Sequence, residues 1–171
     1  MYTVSSMKIA IAGCLGRMGA TLIQAVQADS RFTLAIGSER PGFSTTDAQT
    51  QLAAYGCGNL HITSDPEEMA KAADAVIDFT SPEATLGVAE AVAKAGKIHI
   101  IGTTGFSAPQ LDKLKTAGKK ARIVQSGNFS LGVNLLEKLV TQAAALLDES
   151  YDIEIFEMHH RHKKDSPSGT A

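Results

Sequence analysis

The chain has 171 residues, a hydrophobic fraction of 44%, a charged fraction of 20% and a formal net charge of −2 at pH 7. That length can bury a real core, and the near-neutral balance argues against a protein that grips nucleic acid along a basic face. No run approaches the ~20 apolar residues of a membrane span, residues 1–6 lack a secretory pattern, and Cys14 and Cys57 are too few for a disulfide scaffold, so a reduced cytoplasmic protein is expected.

Residues 8–12 form a short, nearly all-apolar run ending at a glycine, which suits a strand buried on both faces of a parallel sheet. Gly13-Cys14-Leu15-Gly16-Arg17-Met18-Gly19 follows, ahead of a helical pattern over residues 20–28. Glycines spaced by three between a strand and a helix permit a tight turn, close approach of backbone to a pyrophosphate and close helix packing. The helix then turns its unpaired N–H groups toward the phosphates. A second strand over 32–37 closes a β-α-β unit and runs into Ser38-Glu39-Arg40, with Glu39 about twenty positions after Gly19. A carboxylate there accepts hydrogen bonds from an adenosine ribose, and an adjacent arginine pairs with a 2′-phosphate, which together predict acceptance of NADH and NADPH. The plainer reading of Glu39 and Arg40 is an exposed loop ion pair.

Residues 41–59 read as a polar loop with a short helix near 48–55. A weak strand at 60–63, a capped helix start at 64–68 leading into 69–72, and a strand at 75–79 come next. Thr80-Ser81-Pro82-Glu83 opens a helix whose Leu86, Val88, Ala89, Val92 and Ala93 form one apolar stripe. A strand at 97–101 ends in Gly102-Thr103-Thr104-Gly105, and small residues at the carboxyl end of a buried strand are where an open α/β sheet holds its ligand. After a helix at 108–117 and a strand at 122–125, the alternation predicts an α/β fold with a doubly wound parallel (Rossmann-type) sheet. Ser126-Gly127-Asn128-Phe129-Ser130 reads as a hinge before a long helix over 133–147, with Leu135, Leu136, Leu139, Val140, Ala143 and Leu147 on one side. A strand is expected at 152–158.

The stretch from His159 to Thr170 concentrates proton-transfer and anion-binding residues: His159, His160, His162, Arg161, Lys163 and Lys164, then Ser168-Gly169-Thr170. Histidine and lysine move protons, and the Ser-Gly-Thr run offers N–H groups and hydroxyls to a carboxylate or phosphate. Three plainer readings compete: a solvated basic loop, a histidine metal site and a phosphate-binding patch. Cations interleaved with the histidines would repel a divalent ion, so no metal is predicted. The basic excess is local, which argues against nucleic acid.

Gly16-Arg17-Met18-Gly19, Asp78-Phe79-Thr80, Gly102-Thr103-Thr104-Gly105-Phe106, Asn128-Phe129-Ser130 and residues 157–171 together resemble the dihydrodipicolinate reductases of bacterial lysine and diaminopimelate synthesis. The resemblance covers nearly the whole chain. It implies a dinucleotide-binding domain over 1–129, with 130–171 beginning an α+β substrate and oligomerisation domain that is incomplete here. It also implies NADPH- or NADH-dependent reduction of 4-hydroxy-tetrahydrodipicolinate, a cyclic dicarboxylate, to tetrahydrodipicolinate. Gly13, Cys14, Leu15, Gly16, Arg17 and Met18 would then face the pyrophosphate, and Glu39 and Arg40 the adenosine end. Gly102, Thr103, Thr104, Ser126, Gly127, Asn128 and Phe129 would line the nicotinamide side. His159 and Lys163 match the acid–base pair, with Lys163 the proton donor; His160 matches a substrate ligand, and Ser168, Gly169 and Thr170 the clamp on a substrate carboxylate. Leu15, bulkier than the residue usual at its place, is expected to shift the seat of the cofactor. The implied partners are a small dicarboxylate and neither nucleic acid nor membrane, with a homotetramer expected of the full-length family rather than of this shorter chain.

Other functions fit parts of the pattern. A semialdehyde or sugar dehydrogenase on the same nucleotide fold has no need of His-His-Arg-His-Lys. A non-enzymatic NAD(P)-sensing module would call for a DNA-reading helix and a basic face. A fragment that binds nucleotide and catalyses nothing is the third alternative.

Overall fold

The computed structural model describes residues 6–159 and 161. Six strands and six helices follow one another: β1 (Met7–Ala12), α1 (Arg17–Gln27), β2 (Phe32–Ser38), α2 (Thr45–Ala53), β3 (Ile62–Thr63), α3 (Pro66–Ala72), β4 (Ala75–Asp78), α4 (Pro82–Ala95), β5 (Ile98–Ile101), α5 (Ala108–Ala117), β6 (Arg122–Gln125) and α6 (Leu131–Leu146). The strands form one sheet in the order β3-β2-β1-β4-β5-β6, with every neighbouring pair parallel. The chain winds outward from β1 to β3, crosses back over β1, and winds outward again from β4 to β6. Its winding direction therefore reverses between β1 and β4, the place where a doubly wound sheet opens a ligand crevice at its carboxyl edge.

Successive residues of a strand face opposite sides, and β1 uses both. Ile9 and Ile11 pack with Ile23 and Val26 of α1 and Leu52 of α2. Ala10 and Ala12 pack with Met69 of α3 and Val88 and Val92 of α4. Ile101 of β5 and Leu114 of α5 extend the core outward. Several helix starts are fixed by side chains that accept otherwise unpaired N–H groups: Ser44 from Asp47, Asp65 from Glu67, Ser81 from Ala84. The Ser44 cap explains why α2 begins earlier than the apolar pattern predicts. Gly96, at φ +65°, ends α4 in a left-handed turn.

Contacts divide the chain into two compact units, Met1–Gln125 and Ser126–Ala171. Within the second unit, α6 forms close to its predicted span under a Ser130 cap, yet it contains no buried residue. The strand expected at 152–158 is not formed. Its alternating apolar residues are exposed, Ile153 by 63% and Ile155 by 66%, and no described strand pairs with them. Alternation alone does not make a strand, because the ladder needs a neighbour to accept and donate its backbone hydrogen bonds.

Candidate functional site

The carboxyl ends of β1 and β4 meet at the reversal of winding. After β1, Gly13 takes φ +67° and its carbonyl accepts the N–H of Gly16 at 3.0 Å, closing a tight turn. Gly19 belongs to the first turn of α1 and lies so close to this loop that a Cβ there would meet the Gly13 carbonyl oxygen at 2.4 Å. α1 starts under Gly16 with no capping side chain and no acidic residue in its first turn, so its leading N–H groups are left to a ligand or solvent. Gly16, Arg17 and Met18 are exposed. A glycine cradle and an uncapped helix start free of acidic residues are what a pyrophosphate requires, and the loop fits that group.

Cys14 and Leu15 turn away from this exposed face. The Cys14 N–H donates to the Ser38 carbonyl at 3.0 Å, and its side chain is buried beside Gly37. Burial, reinforced by the Glu39 carboxylate, pushes the Cys14 thiol up to about 12. Leu15 packs against the cluster holding Ile23 and Leu52. Its carbonyl accepts a 2.8 Å hydrogen bond from Gln51 Nε2 of α2, a brace on the glycine loop that the polar reading of residues 41–59 did not reveal.

Glu39 follows β2 at the same edge of the sheet. Its backbone N–H donates to the Thr63 carbonyl at 3.0 Å, and its carboxylate accepts the Arg40 N–H at 3.0 Å, while Arg40 is exposed. The backbone contact fixes Glu39 at the end of β2, beside the glycine loop.

At the ends of β4 and β5 the residues interlock. A Cβ on Gly102 would fall 2.0 Å from the Phe79 ring, so the ring lies flush against the Gly102 backbone. Asp78 and His99 are both fully buried and pair through Asp78 Oδ2 and His99 Nε2 at 3.2 Å. Burial alone would raise the Asp78 carboxyl, but hydrogen bonds from His99 and Thr80 outweigh it and hold the group below the usual carboxylate value. Thr103 is buried at 4% exposure, whereas Thr104 is exposed. The Asp78–His99 pair escaped the sequence reading, although an Asp and a His at inward positions of adjacent apolar strands are a usable signal.

The remaining sequence-predicted residues lie in the second unit. The Ser126 hydroxyl donates to the Asn128 carbonyl at 2.7 Å and accepts the Asn128 N–H at 3.2 Å, and Asn128 Oδ1 accepts the Ser130 N–H at 2.8 Å. These bonds make residues 126–130 a structured turn. Asn128 Nδ2 is buried without a hydrogen-bond partner among the described residues, and Phe129 is 46% exposed. His159 Nε2 lies 2.9 Å from Glu157 Oε2, placing a carboxylate beside the imidazole as an orienting partner. His160, Lys163, Ser168, Gly169 and Thr170 lie outside the described residues. Among the described residues no group of His, Cys, Asp or Glu side chains is arranged to hold a metal ion, and no helix is long and apolar enough to cross a membrane.

The sequence model of the dihydrodipicolinate reductase N-terminus matches residues 7–129, and that of its C-terminus matches residues 132–171. The chain belongs to the dihydrodipicolinate reductase family. The 4-hydroxy-tetrahydrodipicolinate reductase of Dinoroseobacter shibae is 49% identical over 164 residues, 95% of this chain and 61% of that protein. The Beijerinckia indica protein of the same name is 48% identical over 170 residues, 98% of this chain and 62% of that one. The chain thus spans about three fifths of the length of these relatives. Among solved structures, the dipicolinate-bound dihydrodipicolinate reductase of Paenisporosarcina sp. TG-14 aligns with a TM-score of 0.73 at 27% identity, over 96% of this chain and 62% of that one. A scyllo-inositol dehydrogenase from Lactobacillus casei aligns at 0.58 and 21% identity, over 84% of this chain and 43% of that one, a likeness of fold alone.

Proposed function

We propose that this chain is the nucleotide-binding part, with the start of the substrate-binding part, of a 4-hydroxy-tetrahydrodipicolinate reductase of diaminopimelate and lysine biosynthesis that uses NADPH or NADH. The observation that carries the reading is the glycine loop at the β1/β4 reversal, in a chain whose family matches run on through residues 132–171. The Gly13–Met18 loop cradles the pyrophosphate, with the leading N–H groups of α1 at Arg17 and Met18 donating to it, Glu39 accepts from the adenosine ribose, and Arg40 meets a 2′-phosphate when one is present. Gly102, Thr103 and Thr104 are assigned to the nicotinamide, as are Ser126 to Phe129 of the second unit, where the buried, unpartnered Nδ2 of Asn128 is a ready donor. The 4-hydroxyl leaves as water, and reduced nicotinamide, when bound, would supply the hydride that the dehydrated ring accepts.

The chain's own residues handle the dicarboxylate and the proton. Ser168, Gly169 and Thr170 hold one carboxylate and His160 assists. Lys163 adds positive charge near the developing negative charge and donates the proton to ring carbon. His159, oriented by Glu157, shares that proton. The substrate is a small cyclic dicarboxylate, the working assembly is a homotetramer formed by the longer protein, and the setting is cytoplasmic.

Loss of NADPH absorbance on mixing the chain with dicarboxylate formed in situ from pyruvate and aspartate semialdehyde tests this directly. Turnover that falls by several orders of magnitude in Lys163→Ala, with NADPH affinity kept, supports the assignment. Loss of nucleotide binding alone in that variant would move Lys163 to the cofactor site. The exposed apolar face of α6 and the unpaired 152–158 segment favour a second reading, in which these 171 residues bind nucleotide without turning over. NADPH binding without absorbance loss would select it.

A further inference from the structure

The site residues considered so far leave Asp78 without a role, although its carboxylate is the most heavily bonded buried group at the ligand edge of the sheet. Its side chain is fully buried. Oδ1 accepts the Thr80 N–H at 2.9 Å, the Thr80 hydroxyl at 2.6 Å and the Thr103 hydroxyl at 3.4 Å, while Oδ2 faces His99 Nε2 at 3.2 Å. The Thr103 hydroxyl in turn accepts the Thr85 hydroxyl at 2.9 Å, in the first turns of α4. The Asp78 carbonyl accepts the Gly102 N–H at 2.8 Å. The network also approaches the glycine loop, because the Thr80 methyl lies 2.9 Å from where a Cβ on Gly13 would fall. One residue therefore connects the loops after β1, β4 and β5.

Stability alone is a poor explanation for this arrangement. A buried carboxylate loses its hydration, and well-packed apolar groups often hold two strands as firmly. An apolar residue could keep β4 against β5, but it could not fix the Thr80 rotamer against Gly13 or the Thr103 hydroxyl beneath Gly102. Orientation is what the charge adds, assisted by the N-terminus of α4, whose dipole favours a nearby anion.

We propose that Asp78 is a positioning residue: it ties the Gly13, Thr80 and Gly102–Thr103 segments into one ligand-ready unit before nucleotide arrives, with His99 holding its second oxygen. The inference rests on the nucleotide-binding reading above. The test is amide hydrogen exchange of the 171-residue chain without nucleotide, paired with NADPH affinity by fluorescence, for wild type and Asp78→Asn at a temperature where circular dichroism shows both folded. Asparagine keeps the shape and one acceptor but loses the charge. Exchange is expected to accelerate tenfold or more at Gly16, Thr80 and Gly102 together, with little change at the amides of β1, and the Kd for NADPH is expected to rise at least tenfold.

Uniform acceleration across the sheet with an unchanged Kd would mean a merely structural carboxylate, and acceleration confined to Thr80 would mean a local turn; either overturns the proposal. If Asp78→Asn does not fold, Thr103→Val, which removes one hydroxyl and keeps the shape, is read in the same way, with smaller changes expected. Failure of the wild-type chain to bind NADPH would refute the nucleotide reading separately. The exchange data would then decide the coupling alone: joint loosening of the three segments upholds it, and scattered or absent loosening overturns it.

Discussion

Ile11 of β1 and Leu139 of α6 are both aliphatic residues on regular elements, yet the first is completely buried and the second is 54% exposed. Their surroundings differ more than their chemistry. Ile11 lies in a strand hydrogen-bonded on both sides and covered by α1 and α2, whereas α6 carries an apolar stripe with no buried residue. An apolar stripe predicts that a face favours burial. It does not name what covers it, and a helix can form from its own hydrogen bonds while that question is open.

Paired truncations would break this comparison most sharply. Ile11→Ala should cost ~2–5 kcal/mol in urea unfolding followed by circular dichroism, while Leu139→Ala should stay within ~0.5 kcal/mol. Equal losses would mean that α6 is as deeply packed as the sheet. Next comes Gly19→Ala, whose added carbon collides with backbone atoms of the glycine loop. NADPH affinity should fall by ~100-fold, about 2.7 kcal/mol, as read by fluorescence titration. An unchanged affinity would remove the phosphate role of that loop.

The Asp78 carboxyl offers a contrast confined to the sheet. Its folded value lies below that of a free carboxyl, so its contribution to stability is complete above the unfolded value of ~3.9 and is lost as pH falls through the folded value. Wild type should therefore lose stability on acidification below about pH 4 more steeply than Asp78→Asn. Parallel urea midpoints for the two proteins across that window would show that no such coupling exists. The smallest effect is expected for Ser81→Ala, which removes a helix cap and should lower sheet stability by ~1 kcal/mol; the matched change Ser130→Ala at α6 should reduce helicity with little effect on the main unfolding transition.

The parallel sheet was legible because each strand carries its own signal. Residues 9–12 are apolar on both faces, the glycine run follows at the right place, and 108–117 and 122–125 match their observed bounds. α2 was only partly legible, since Ala48 and Leu52 are its buried residues and polar side chains hide the pattern. Residues 152–158 show the reverse failure: a clear alternation without a described partner strand. At the site, the glycine loop and Glu39 could be anticipated from spacing. For the Asp78–His99–Thr103 network, polar residues inside apolar strands flag a buried pair, but which groups meet depends on strand register, which local composition does not encode.

Cys14 and Gly37 illustrate a constraint of another kind. A Cβ on Gly37 would fall 2.6 Å from Cys14 Sγ, so the side chain of one residue occupies the space that the other leaves empty. The two positions share a single volume across β1 and β2. Neither can be enlarged independently, and a tolerated substitution at Gly37 requires a compensating reduction at Cys14. Their histories of change are therefore expected to be correlated, with the order of substitution mattering: the cysteine must shrink before the glycine can grow.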